Sequence, residues 1–117
     1  MHLKRSLAVM AACGLWAGFP AAASAQAQVE GLALAQRKAC MACHQVDSKR
    51  VGPPLRSVAE RYAGRGDAMV QYLAGKIRSG GRGAWGAVPM PAQSQVNEDE
   101  ALQLAQWILS LSPAKPQ

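Results

Sequence analysis

Residues 40–44 of this 117-residue chain read Cys-Met-Ala-Cys-His, and this motif constrains the possible structures most strongly. Two cysteines three positions apart on a helical turn project to the same side, and His44 follows directly. This spacing suits two thioether bonds, from Cys40 and Cys43, to the vinyl groups of a haem, with His44 beneath the iron. Cys-x-x-Cys-His is the attachment sequence of a c-type haem. The motif therefore predicts one covalently bound haem c.

Other uses of a Cys-x-x-Cys pair agree less well with the rest of the sequence. A thioredoxin-like pair would sit in a βαβ pattern, and the sequence contains no such pattern. A structural zinc site needs four ligands, usually as two spaced pairs, whereas the chain offers a single pair. A disulfide across two intervening residues is geometrically awkward. The haem interpretation is favoured over all three.

Residues 1–25 have the features of a cleaved secretory signal peptide. A basic start is followed by an apolar run at 6–19 and by a small-x-small pattern that ends at Ala25. A membrane anchor would need about 20 apolar residues, and Pro20 ends this shorter run. We therefore expect cleavage after Ala25 and a mature periplasmic domain of residues 26–117.

Removal of the leader also changes the cysteine count and the charge. Cys13 leaves with the leader, so Cys40 and Cys43 remain and no structural disulfide is possible. A lipid anchor on Cys13 is disfavoured, because the apolar run before it is too short. The formal net charge of the whole chain is +6, and Lys4 and Arg5 leave with the leader. The mature domain therefore keeps only a modest excess of positive charge. Such an excess suits binding to a protein or membrane surface of negative charge and is not typical of a dedicated nucleic-acid binder.

Helical periodicity predicts an all-α domain without strands. In the first predicted helix, the buried face would carry Val29, Leu32, Ala35 and Ala39. A Gly- and Pro-rich stretch at 80–96 is predicted to be irregular and functional. The first predicted helix spans 29–42 and carries the cysteines in its last turn, and the second spans 55–63. The third is capped by Asp67 and ends near Ser79. The last has Asn97 as N-cap and Glu100 completing a capping box, and it ends before Pro113.

The second axial ligand of the iron is predicted from the methionines, because the mature chain has no second histidine. Met41 lies between the two cysteines and cannot reach the opposite side. Met69 falls in the first turn of a helix, where methionine usually fills space. Met90 lies between Pro89 and Pro91, which fix the backbone and keep it out of a helix. We favour Met90 over Met69, and His/Met ligation is typical of electron carriers.

The motifs also occur in an order that is typical of one protein family. The chain resembles the small periplasmic monohaem c-551 type of class I cytochrome c over nearly the whole mature domain. This resemblance implies about four short helices wrapped around one haem, and an electron carrier that is not an enzyme. The motifs are the haem motif, Val51-Gly52-Pro53, Lys76-Ile77-Arg78-x-Gly80, Trp85-Gly86-x-x-Pro89-Met90-Pro91 and a final acidic-capped helix with Trp107.

The resemblance implies roles for further residues. The carbonyl of Pro53 would accept a hydrogen bond from the ring N–H of His44. Trp85 would donate its indole N–H to a haem propionate, and Lys76 and Arg78 would offset propionate charge. One departure is the segment 91–93, which reads Pro-Ala-Gln where the group often has Pro-Pro-Asn, so the contact of that Asn with the methionine sulfur is not carried over.

We therefore expect a monomeric periplasmic carrier that docks transiently with a redox protein donor and acceptor. Stable membrane insertion and nucleic-acid binding are not expected. Lys49 and Arg50 would rim the haem edge and steer an acidic partner. Two alternatives stay open: a haem subunit of a multi-protein oxidoreductase, and a haem ligand sensor or enzyme if Met90 dissociates readily.

Overall fold

The computed structural model describes residues 21–113 of the chain. Most of the predicted signal peptide, residues 1–20, and the last four residues, 114–117, lie outside the described part. Residues 21–25 begin the first helix, which continues through the predicted cleavage position. The signal peptide and its cleavage after Ala25 therefore stay predictions.

Four helices form most of the described chain, which confirms the predicted all-α class. A short 3₁₀ turn carries the first cysteine, and a two-stranded hairpin follows the third helix. The elements in chain order are α1 (Ala21–Arg37), the 3₁₀ turn (Cys40–Ala42), α2 (Leu55–Tyr62), α3 (Ala68–Ser79), β1 (Gly81–Gly83), β2 (Gly86–Met90) and α4 (Glu98–Ser110).

The N-terminus of α4 has the predicted capping box. The Asn97 side chain accepts a hydrogen bond from the backbone N–H of Glu100 at 2.9 Å. The Glu100 carboxylate in turn accepts one from the backbone N–H of Asn97 at 3.1 Å. Together the two bonds satisfy amides that a helix start leaves without partners. The prediction that the Asp67 side chain caps α3 was wrong, because Asp67 precedes this helix but makes no side-chain capping bond.

The first helix ends earlier than predicted. It stops at Arg37, and Ala39 adopts the left-handed conformation with φ of 61°. A residue in this conformation closes a helix, because the chain then turns away from the helix axis. The two cysteines therefore lie on and directly after a separate 3₁₀ turn, and not in the last turn of α1 as predicted.

The core forms where α4 packs against the other three helices. On α1 the buried residues are Gly31, Leu34 and Ala35. The prediction that Val29 faces the core was wrong, since its side chain is 64% exposed. The remaining buried apolar residues are Leu55, Val58, Ala59, Leu73, Ala74, Ile77, Val96, Ala101, Leu104, Ala105, Trp107, Ile108 and Leu111.

The stretch after α3 is a short antiparallel hairpin, and the prediction of an irregular segment was wrong there. Gly81 pairs with Met90, and Gly83 pairs with Gly86. Gly80 ends α3 with φ of 74°, and a β-carbon at this residue would lie 2.5 Å from the carbonyl oxygen of Met90. Glycine at position 80 thus allows the chain to reverse and bring Met90 back beside α3.

Candidate functional site

A cleft of about 210 Å³ opens beside the cysteine motif. Most of its wall is apolar, with side chains from α2, α3 and α4 at its base and the hairpin along one side. Seven of the eight residues that the sequence singled out line it: Cys40, Cys43, His44, Pro53, Lys76, Trp85 and Met90. The fold therefore brings distant parts of the chain together around one space.

Both cysteines of the motif lie at the wall of the cleft. Cys40 is half-buried, whereas Cys43 is exposed. Burial raises the pKa of the Cys40 thiol, and a backbone hydrogen bond opposes this increase only in part. Reactive Cys-x-x-Cys pairs in disulfide exchange have lowered pKa values, so Cys40 does not resemble such a redox thiol.

The ring of His44 is held by its backbone surroundings. Its Nδ1 lies 2.8 Å from the carbonyl oxygen of Pro53. A carbonyl can only accept, so Nδ1 carries the proton and Nε2 keeps its lone pair free for a metal. Gly52 lies directly against the ring, because a β-carbon there would stand 2.5 Å from Cε1 of His44. The pair of Gly52 and Pro53 thus fixes both the position and the tautomer of the ring.

Met90 is the methionine that the fold brings to the cleft. It ends β2, is partly buried and contacts the hydrophobic core. Met41 and Met69, the other two methionines among residues 21–113, do not line the cleft. The structure therefore places one thioether and one imidazole at the same cavity.

Aromatic and cationic side chains gather at the hairpin end of the cleft. The rings of Tyr62 and Tyr72 lie 5.5 Å apart, and that of Trp85 lies 6.5 Å from Tyr62 in an edge-to-face arrangement. Nζ of Lys76 is 5.5 Å from the Tyr72 ring centroid. The pKa of the Tyr72 phenol is raised, first through its interaction with the Tyr62 side chain and then through burial. These residues form a cluster with its own net positive charge.

Arg78 is the one singled-out residue that lies elsewhere. Its Nη1 is 3.9 Å from Oε2 of Glu98 at the start of α4, and it does not line the cleft. Sequence reasoning missed the wall positions of Tyr62, Tyr72 and Arg82. Nothing in the local sequence pattern indicates which of these side chains meet in space.

Comparison with known proteins identifies the family. The family model described as cytochrome c matches residues 28–112. The chain belongs to the cytochrome c family. Cytochrome c-552 of Hydrogenobacter thermophilus is 62% identical over 78 residues, which cover 67% of this chain and 78% of that protein. Cytochrome c-551 of Pseudomonas aeruginosa is 46% identical over 77 residues, which cover 66% of this chain and 72% of that protein.

A solved structure shows the same relationship. The crystal structure of wild-type Nitrosomonas europaea cytochrome c552 matches with a TM-score of 0.66 and 48% identity. The match covers 68% of this chain and 98% of that one. The predicted class I cytochrome c fold is thereby confirmed.

Membership of this family means that the chain carries a covalent haem c and acts as a small electron carrier, not as an enzyme. The residues at the cleft fit that group, since two cysteine side chains and a histidine with an available ring nitrogen border a mostly apolar space. Cys40 and Cys43 are the cysteines that attach it. Within residues 21–113, no helix has the length and apolar character that crossing a bilayer requires.

Proposed function

We propose that the chain is a periplasmic single-electron carrier in which His44 and Met90 are the two axial ligands of the haem iron. The observation that supports this most is the shared cleft. His44, with Nε2 left free by the bond to Pro53, borders the same cavity as both cysteines and Met90. His/Met ligation raises the reduction potential and suits an electron carrier.

The bound haem supplies an iron that gains or loses one electron. The chain supplies the surroundings in which that happens with little rearrangement. The carbonyl of Pro53 holds the His44 ring in place and increases the basicity of its free nitrogen. Met90 is held at the end of a paired strand, between Pro89 and Pro91. Both ligands are therefore oriented before and after electron transfer.

The hairpin end of the cleft is suited to the haem carboxylates. Trp85 lines the wall there and has an indole N–H that can donate, and Lys76 lines it with a positive charge. We assign Trp85 as a hydrogen-bond donor to a carboxylate and Lys76 as a cation that offsets its charge. Arg78 has no such role in this proposal, because it pairs with Glu98 instead.

The ligand assignment is tested with the haem-loaded protein and two methionine variants. Met90→Ala should remove the weak long-wavelength absorption of a methionine-ligated ferric haem, and should let carbon monoxide bind the ferrous form. Met69→Ala is the matched control and should change neither property. If Met69→Ala has these effects and Met90→Ala does not, the assignment of Met90 is wrong.

The exposed rim of the cleft suits a brief encounter with a redox partner. Val51 and Val88 are 54% and 65% exposed, and both line the opening. Lys49 and Arg50 are exposed beside Val51. Small apolar surfaces with charged rims suit weak redox encounters, in which charge accelerates association. We propose an acidic redox protein as the partner, as donor or as acceptor.

The proposed location follows from the predicted signal peptide. N-terminal sequencing of haem-containing protein from the periplasmic fraction should begin at Gln26. Recovery of the same protein only from the cytoplasm, with its first 25 residues attached, would contradict the location while leaving the ligand assignment intact.

A further inference from the structure

The side chain of Arg61 contacts two groups in the turn that joins β1 to β2. Its guanidinium carbon lies 3.6 Å from the centroid of the Trp85 ring. Its Nη1 also donates a hydrogen bond to the carbonyl oxygen of Ala84 at 2.7 Å. Arg61 belongs to the last turn of α2. One side chain thus connects a core helix to the tip of the hairpin.

The two contacts need the particular shape of arginine. A planar guanidinium can lie over an aromatic ring and donate from its edge at the same time. Lysine carries the same charge, but its ammonium has no plane to stack on the indole. Tyr62, the next residue along α2, adds an edge-to-face contact with the same indole. The indole is therefore held from α2 by two adjacent residues.

Trp85 needs such support because little else holds it. Its side chain is 37% exposed, and it follows directly on the turn residue Ala84. Within the described residues, its indole N–H has no hydrogen-bond partner from the protein. A donor that is to meet a haem carboxylate must be oriented by its neighbours, or part of the binding free energy is lost in ordering it.

We infer that Arg61 is a positioning residue for Trp85, which it holds at the mouth of the haem cleft by stacking on the indole and bonding the Ala84 carbonyl. The inference rests on the proposed role of Trp85 as a donor to a haem carboxylate. It adds that α2 sets the orientation of this donor, although Arg61 itself does not line the cleft.

The test follows the indole N–H protons of the ferrous, haem-loaded protein by NMR hydrogen exchange. In Arg61→Gln, exchange at Trp85 should be about tenfold faster, because the stacking and one hydrogen bond are lost. The buried Trp107 is an internal reference and should not change. Arg61→Lys should give an intermediate exchange rate, since it keeps the charge but not the planar group.

The reduction potential separates positioning from charge. Arg65→Gln is the matched control, because the guanidinium carbon of Arg65 lies 5.8 Å from the centroid of the Tyr62 ring, whereas that of Arg61 stacks on Trp85 at 3.6 Å. Loss of either cation should lower the potential, since a positive charge disfavours the oxidised iron. Arg61→Gln should lower the potential more than Arg65→Gln does, whereas Arg61→Lys should lower it only slightly. When Arg61→Gln is made in a Trp85→Phe background, the decrease should equal that of Arg65→Gln.

Three results would overturn the inference. Arg61→Gln and Arg65→Gln could give the same exchange rate at Trp85 and the same potential, which would make Arg61 an ordinary surface cation. Exchange at Trp107 could accelerate as much as at Trp85, which would show a general loss of stability. The excess decrease in potential could also persist in the Trp85→Phe background. Failure of the ligand assignment would appear instead in the optical spectrum of the wild-type protein. The hydrogen-exchange rate at Trp85 does not depend on that spectrum, so the two failures can be distinguished.

Discussion

Gly31 of α1 lies so close to the indole of Trp107 of α4 that a β-carbon at residue 31 would stand 2.1 Å from Cγ of Trp107. That is well below any van der Waals contact. Trp107 is buried, and so is Gly31. The absence of a side chain at residue 31 is therefore what lets the first and last helices approach each other here.

Gly31→Ala should destabilise the haem-loaded protein by about 1–3 kcal/mol, because the new methyl group displaces a packed indole. Chemical denaturation of the holoprotein, followed by far-ultraviolet circular dichroism, measures the change. Gly75→Ala is the matched control, since Gly75 is an exposed residue within α3 and a β-carbon there meets nothing within 4 Å. That variant should gain about 0.5–1 kcal/mol from helix propensity. Equal effects of the two substitutions would show that the contact with Trp107 does not matter.

The contact between Gly31 and Trp107 also explains what sequence reasoning could and could not predict. The capping box of Asn97 and Glu100 was predicted correctly, because it depends on residues three positions apart. The buried face of α1 was predicted from the helical spacing of its apolar residues, so it included Val29 and omitted Gly31. Hydrophobic periodicity gives no weight to a glycine whose role is to make room for a distant indole.

The hairpin at the edge of the cleft was missed for a similar reason. Its two strands contain four glycines and prolines among eight residues, a composition that is typical of loops. Pairing of Gly81 with Met90 depends on the reversal at Gly80 and on α3 beneath it. The haem motif and the proline-flanked Met90 predicted the proposed iron site, and the family resemblance implied Pro53, Lys76 and Trp85, which also line the cleft. The stacking of Arg61 on Trp85 joins residues with no local signal.

Ala39→Gly should stabilise the protein. Ala39 closes α1 with φ of 61°, a conformation that is strained for alanine and unstrained for glycine. We expect a gain of about 0.5–1 kcal/mol, reduced in part because glycine also makes the unfolded chain more flexible. Thermal unfolding of the holoprotein is the measurement. Ala42→Gly, three residues further along and with ordinary φ, should lose stability; a loss in Ala39→Gly as well would contradict the strain argument.

The stability of the protein should depend on the charge of Glu100 at acid pH. Its carboxylate lies 2.9 Å from Nζ of Lys38, which also donates to the carbonyl oxygen of Gln95 at 3.1 Å. The pKa of Glu100 is lowered from 4.5, first by the hydrogen bond from Lys38 and then by that from the backbone of Asn97. A lowered folded-state pKa means that the stabilisation is fully present above 4.5 and is lost as the pH falls through the folded value.

Glu100→Gln isolates this effect, because glutamine at the same position can still complete the capping box. The variant should be less stable than the wild type at neutral pH, and the two free energies of unfolding should converge as the pH falls below 4.5. Urea denaturation at a series of pH values gives both curves. A difference between them that does not change with pH would show that the ion pair with Lys38 contributes nothing through its charge.

The last prediction concerns steering by Lys49 and Arg50. Both are exposed in the loop that leads to Val51 at the cleft opening, and the Arg50 backbone is held by a bond from its N–H to the Gly52 carbonyl at 3.2 Å. Their charges therefore lie beside the proposed docking surface at the cleft opening. Attraction between opposite charges raises the association rate at low salt and is screened as the ionic strength rises.

A Lys49→Gln, Arg50→Gln double variant should lose part of its low-salt rate of electron transfer to an acidic redox partner, and its rate should vary less with ionic strength. Stopped-flow measurement across a salt series tests this. Arg37→Gln, Arg78→Gln is the matched control, because it removes the same charge from two exposed residues that do not line the cleft. If both double variants give the same salt dependence, net charge accounts for the attraction and this loop does not direct it.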